Sequence, residues 1–129
     1  MKVSLLSAVV AAAVAISSSA LAQEAAPPRV AQSVAGDLLV DANGMTLYVF
    51  SKDQPGKSVC NGDCAANWPP VKASKDAAAA GGFSVVTRDD GSQQWAYMGR
   101  PLYGWVKDQK PGDMTGDGFL NGAWHVARP

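Results

Sequence analysis

Residues 44–53 read GMTLYVFSKD, and residues 99–108 read GRPLYGWVKD. No other feature of the chain restricts its fold as tightly as this repetition. Tyr48 matches Tyr103, Phe50 matches Trp105 and Asp53 matches Asp108, all at an offset of 55. The second copy then gains one residue, DQKPG against DQPG. From there Gly56 matches Gly112, Gly62 matches Gly118 and Trp68 matches Trp124 at an offset of 56. One insertion that preserves register over such a length marks two copies of one supersecondary unit. A unit of this size cannot bury its own apolar face, so the two copies are expected to pack on each other with approximate twofold symmetry.

Local patterning says what kind of unit it is. LLVDANGMTLYVF has two β-rich arms around Asn43-Gly44, a hairpin signal. FSVVTR, the turn DDGS, QQWAYM, RPLYGWV and AWHVAR supply further short strands. The spacing therefore predicts a small all-β, antiparallel domain over residues 36–129, with units at about 36–71 and 83–127. The connector KASKDAAAAGG (72–82) has alanines suited to one helical turn after Asp76. Alternate residues of a strand share a face, so Tyr48 and Phe50 point one way and Leu47 and Val49 the other. Tyr103 and Trp105 pair in the same manner.

The N-terminus reads as an address. Lys2 is followed by the apolar VSLLSAVVAAAVAI and then SSSALA, a small-x-small end that places cleavage after Ala22. The apolar run is shorter than the roughly 20 residues a membrane span needs. Residues 23–35, QEAAPPRVAQSVA, are expected to be a flexible leader. A periplasmic or secreted monomer without a transmembrane segment follows. Without Lys2, ten basic residues face eleven acidic ones, with no run of like charge. Such a balance offers no basic face to nucleic acid.

At this point the residues resemble a known family. Tyr-x-aromatic-x-x-Asp, here YVFSKD and YGWVKD, is similar to the signature of a bacterial family of exported proteins and lipoproteins, the secreted repeat of unknown function. CNGDCAANWPP after the first copy, PLY opening the second and PGDMTGDG before the last tryptophan fit the same family. The resemblance spans roughly residues 36–127 and implies fold and location. It carries no activity and no catalytic residues. Unlike the lipoprotein members, this chain has no cysteine at its cleavage site.

Candidate chemistry is sparse. Cys60 and Cys64 are read first as a disulfide, since export implies an oxidising compartment. As thiolates they would suit Cu(I), with His125, Met45, Met98 or Met114 as further ligands. His125 lies between Trp124 and Val126 and should face outward if those two face inward. Asp108, Asp113 and Asp117 could offer oxygens to calcium, though Pro111 and a missing terminal glutamate break the EF-hand pattern. Asp53 and Asp108 each end a strand before a Gly-containing loop, where an aspartate accepts backbone N–H groups. The signature positions Tyr48, Phe50, Asp53, Trp68, Tyr103, Trp105, Asp108 and Trp124 are thus structural or binding residues, with no catalytic set among them. The reading is a non-catalytic binding or accessory module of the cell envelope. The alternative is a periplasmic copper-binding or redox accessory protein built on Cys60 and Cys64.

Overall fold

The computed structural model describes residues 26–129. The expected signal peptide (1–22) and its cleavage point lie outside the described residues.

Seven short strands make up most of the regular structure among those residues. Strand β1 (Arg29–Ala31) pairs antiparallel with β2 (Leu38–Val40), Arg29 opposite Val40. Strand β3 (Tyr48–Phe50) follows a tight turn in which Gly44 N–H donates to the Asp41 carbonyl and Gly44 takes φ +84°. That left-handed conformation is why Asn-Gly ends this turn. In the second copy β4 (Phe83–Thr87) pairs with β5 (Gln93–Tyr97) across Asp89-Asp90-Gly91-Ser92. Strand β5 also pairs with β6 (Arg100–Pro101). Strand β7 (Trp124–Val126) ends the domain.

The two copies exchange their ends. Strand β7, the last element of copy two, pairs with β3 of copy one, Phe50 opposite Trp124. The end of copy one runs beside copy two in the same way: Gly104 N–H donates to the Pro69 carbonyl and Val106 N–H to that of Asn67. Between them Tyr48 and Tyr103 bond to each other through both backbone groups, N···O 2.8 and 3.0 Å. These reciprocal bonds join the two units across their boundary. The β3–β7 sheet is thus shared between the units, while β1–β2 and β4–β5–β6 each lie within one.

The alternation of β3 divides the interior into two clusters. One face buries Leu38, Val40, Tyr48, Trp68, Tyr103 and Trp124, and the other buries Leu39, Leu47, Trp95, Leu102 and Ala127.

Three expectations need correction. Residues 23–35 are not a leader throughout, because β1 begins at Arg29 and buries the β2 edge. Copy one therefore starts near residue 29 rather than 36. Its strand was hidden by a polar, proline-preceded sequence whose pairing partner lies seven residues on. The alanines after Asp76 form no helical turn. Ser74–Ala77 makes a single turn, and Ala80 bridges to Phe83. The helix instead is α1 (Asp63–Asn67), which starts within the Cys60–Cys64 ring and runs on beyond it. Its counterpart, α2 (Phe119–Gly122), is a helix-like turn in which Leu120 and Asn121 are left-handed, φ 57° and 55°.

Candidate functional site

The signature tyrosines and aspartates meet in the middle of the molecule, and they meet crosswise. Tyr48 Oη–H donates to Asp108 Oδ2 at 2.6 Å, and Tyr103 Oη–H donates to Asp53 Oδ2 at 2.6 Å. Each tyrosine thus bonds the aspartate of the other copy. Each aspartate also holds its own loop: Asp53 Oδ1 accepts Val59 N–H (2.8 Å), and Asp108 Oδ1 accepts Thr115 N–H (3.0 Å). Residues 59 and 115 are themselves equivalent. One carboxylate therefore fastens a loop with one oxygen and the neighbouring unit with the other. Burial, reinforced by the aspartate partner, raises both phenols well above their ordinary value. Burial also raises Asp53, against the lowering effect of the Tyr103 hydrogen bond.

The aromatic positions form a four-ring stack across the same centre. Phe50 stacks on Trp124 (4.2 Å, 13°), Trp124 on Trp68 (3.9 Å, 3°) and Trp68 on Trp105 (3.9 Å, 24°). Tyr48 meets Trp68 edge-on at 5.3 Å, and Tyr103 meets Trp124 edge-on at 5.0 Å. Offset and edge-on contacts are the preferred geometries of aromatic quadrupoles. Gly116 sits beneath the stack, where a Cβ would come within 2.6 Å of the Trp68 ring. Only a glycine lets that backbone approach, and its N–H donates to Tyr48 Oη at 3.3 Å.

The two Tyr–Asp pairs have different surroundings. Around Tyr103, Ser58 Oγ lies 2.6 Å from the phenol oxygen. Arg88, itself buried, donates to Ser58 Oγ (2.9 Å), Gln94 Oε1 (2.8 Å) and the Cys60 carbonyl (2.7 Å). Around Tyr48 there is only Thr115, whose hydroxyl donates to Asp108 Oδ1 at 2.6 Å, and the Gly116 amide. Neither Arg88 nor Gln94 was singled out in the sequence. An arginine ending a strand beside an Asp-Asp-Gly turn reads as a solvated charge, and no pattern marks it as buried.

Cys60 and Cys64 are joined as a disulfide, with Cα atoms 5.2 Å apart, and Cys60 is fully buried. The copper reading requires two free thiols, and both sulfurs are bonded to each other. His125 is exposed on β7, opposite Val49, and its Nδ1 lies 3.9 Å from Asp117 Oδ1. Among the described residues no three His, Cys, Asp or Glu side chains gather as a metal-holding group. The three aspartates of the Gly-rich loop are directed to separate tasks. Asp108 binds Tyr48, Asp113 accepts from Gln109 and Lys110 N–H, and Asp117 accepts Val126 N–H.

Two surface clefts flank the centre at equivalent positions. The first, about 310 Å³, is lined by Met45, Thr46, Pro69, Gly104, Trp105 and Asp108 among others. The second, about 320 Å³, has Arg100, Pro101, His125, Val49, Phe50 and Asp53 at the corresponding places. A wider trough of about 600 Å³ adjoins the second and shares Val49, Arg100 and His125 with it. The two clefts thus sit at equivalent places of the repeat but differ in lining: Met45 and Pro69 in the first stand where the second has Arg100 and His125.

No helix among the described residues is long and apolar enough to cross a membrane. No curated protein and no solved structure matches the chain. A family model does, twice: it covers residues 29–72 and 84–128, the second segment longer by the one residue inserted in DQKPG. The matched segments are the two interlocked units, and the chain belongs to the family described as the secreted repeat of unknown function.

Proposed function

We propose that the protein is a non-catalytic binding or accessory module that works in the cell envelope after export to the periplasm. The observation that carries this reading is how the signature residues are used. Both Tyr–Asp pairs, the groups best suited to acid–base chemistry, are bonded to each other in the interior. Each is held by a further backbone N–H. A general acid or base must reach a substrate proton within hydrogen-bond distance; both phenols are fully buried, and each aspartate, although it borders a cleft, has both oxygens engaged by its tyrosine and its loop. What remains for a partner is the pair of clefts, of a size common in ligand sites.

The test is site-directed photocrosslinking in the native host. A photoreactive residue replaces Val49 in one strain and Val106, at the rim of the other cleft, in a second. A third strain carries it at exposed Thr87. The reading expects a discrete crosslinked species from at least one cleft position and none from Thr87. No adduct at either cleft, or the same adduct from all three, would contradict it.

A further inference from the structure

The aromatic stack can do more than fill space. We propose that Trp105, Trp68 and Tyr48 form a one-electron relay from the surface to the interior, with Asp108 receiving the tyrosine's proton. This goes beyond the binding reading and does not depend on it.

Contact comes first. Trp105 is half-buried and lines the first cleft, so it is within reach of solvent. It stacks on Trp68 at 3.9 Å, and Trp68 meets the Tyr48 ring at 5.3 Å. Electronic coupling falls exponentially with the gap between donor and acceptor. Rings in van der Waals contact exchange electrons far more readily than rings separated by solvent or backbone.

Proton management comes second. Tyr48 is fully buried, so a charged oxidised phenol there would be costly unless its proton left with the electron. Asp108 Oδ2 is one 2.6 Å hydrogen bond away. Its other oxygen is held by the Thr115 amide and hydroxyl, which keeps Oδ2 aimed at Tyr48. After transfer, protonated Asp108 donates back to the phenoxyl oxygen, which still accepts Gly116 N–H.

The step balances. A one-electron oxidant at the surface, a high-potential metal complex or an oxygen-centred radical, takes an electron from Trp105. Trp68 refills Trp105, and Tyr48 refills Trp68 as its O–H proton passes to Asp108. The oxidant gains one electron; Tyr48 becomes a neutral phenoxyl radical and Asp108 a neutral acid. A one-electron reductant reverses every step.

The equivalent path, Phe50–Trp124–Tyr103, supplies an internal control. Phe50 occupies the place of Trp105, and a phenyl ring is much harder to oxidise than an indole. The Tyr103 hydroxyl shares Ser58 with the Arg88 guanidinium, whose positive charge disfavours an electron-poor ring nearby. The relay therefore enters through Trp105; Trp124, stacked on Trp68 at 3.9 Å, opens a branch to Tyr103 at 5.0 Å, and the Arg88 charge behind that phenol makes Tyr48 the favoured end.

The experiment uses the full chain with photogenerated tris(bipyridine)ruthenium(III) as oxidant, and freeze-quench electron paramagnetic resonance as the readout. The chain has three tyrosines, so Tyr48→Phe, Tyr97→Phe and Tyr103→Phe assign any tyrosyl signal. Wild-type protein is expected to give a tyrosyl radical that disappears in Tyr48→Phe. Trp105→Phe is the decisive variant. A phenyl already fills the equivalent place at Phe50, so melting temperature should barely change while most of the tyrosyl signal is lost. A Trp105→Phe protein with the wild-type signal would overturn the proposal. So would a signal that survives Tyr48→Phe and vanishes in Tyr97→Phe or in Tyr103→Phe. If Tyr48→Phe fails to fold, ring-deuterated tyrosine with the Tyr97→Phe and Tyr103→Phe variants makes the same assignment.

Discussion

The Tyr103–Asp53 and Tyr48–Asp108 centres are two executions of one plan. Both are built from a buried tyrosine, the other copy's aspartate and an edge-on tryptophan. They differ in what stands behind the phenol. The first recruits Ser58, Arg88, Gln94 and a disulfide-closed loop. The second manages with Thr115 and a glycine pressed under the tryptophan stack. The difference teaches that the Tyr–Asp cross-bond is the common structural element, and that each centre stabilises its loop by separate means.

The largest test of that comparison is Arg88→Ala. It strips donors from the Cys60 carbonyl and the Gln94 carboxamide, both without access to solvent. Each unsatisfied buried group costs about 1–3 kcal/mol, so we expect a loss of about 3 kcal/mol in urea unfolding. Amide exchange should accelerate in the Cys60–Cys64 loop and stay unchanged around Thr115 and Gly116. Equal acceleration in both loops would show that the centres are not independently braced.

Next in size is the disulfide. Copy two has Gly116 and Leu120 at the positions of Cys60 and Cys64 and still forms its loop. A short closed ring stabilises by only about 2 kcal/mol in the chain-entropy account. Cys60→Ser with Cys64→Ser should therefore lower the melting temperature and leave a folded protein. Complete unfolding would mean that copy one depends on its staple in a way copy two does not.

The smallest effects are those of pH. Tyr48 and Tyr103 both have folded values raised above the ordinary 10.0 by burial and by their aspartates. A raised value favours the protonated, native phenol. Its contribution is whole below the unfolded range and is lost as pH rises through the folded one. Stability should therefore decline above about pH 10, and Tyr48→Phe and Tyr103→Phe should each remove part of that decline. Asp53, raised by burial, has the same sign. Its stabilising contribution is present below the ordinary carboxylate range and fades as pH rises through its folded value. Chemical denaturation of Asp53→Asn across that window should show a flatter profile than wild type.

Much of this was legible in the chain. The offset of 55 and then 56 identifies both units, and the turn chemistry of Asn43-Gly44 and Asp89–Ser92 locates hairpins. The period of two separates Tyr48 and Phe50 from Leu47 and Val49, which are found in the two different core clusters. An aspartate before a Gly-rich loop reads as an acceptor for that loop, and Oδ1 of Asp53 and of Asp108 has that partner. Oδ2 was not legible. Spacing fixes which residues are equivalent, but it does not say whether a tyrosine reaches its own aspartate or its neighbour's. That depends on the exchange of β7 and of the Trp68–Pro70 segment between copies, a long-range pairing with no local signal. Arg88 was hidden for a related reason: its acceptors lie 27 to 30 residues away, apart from Gln94 on the adjacent strand. The clefts were likewise invisible, because each is walled by both copies.

The central claim is that the signature residues couple the two units across their boundary. Double-mutant cycles with Tyr→Phe and Asp→Asn measure it directly. The cross-copy pairs Tyr48/Asp108 and Tyr103/Asp53 should show coupling energies of about 1–3 kcal/mol. The within-copy pairs Tyr48/Asp53 and Tyr103/Asp108 should be additive within about 0.5 kcal/mol. Strong coupling within each copy and none across would contradict the interlock.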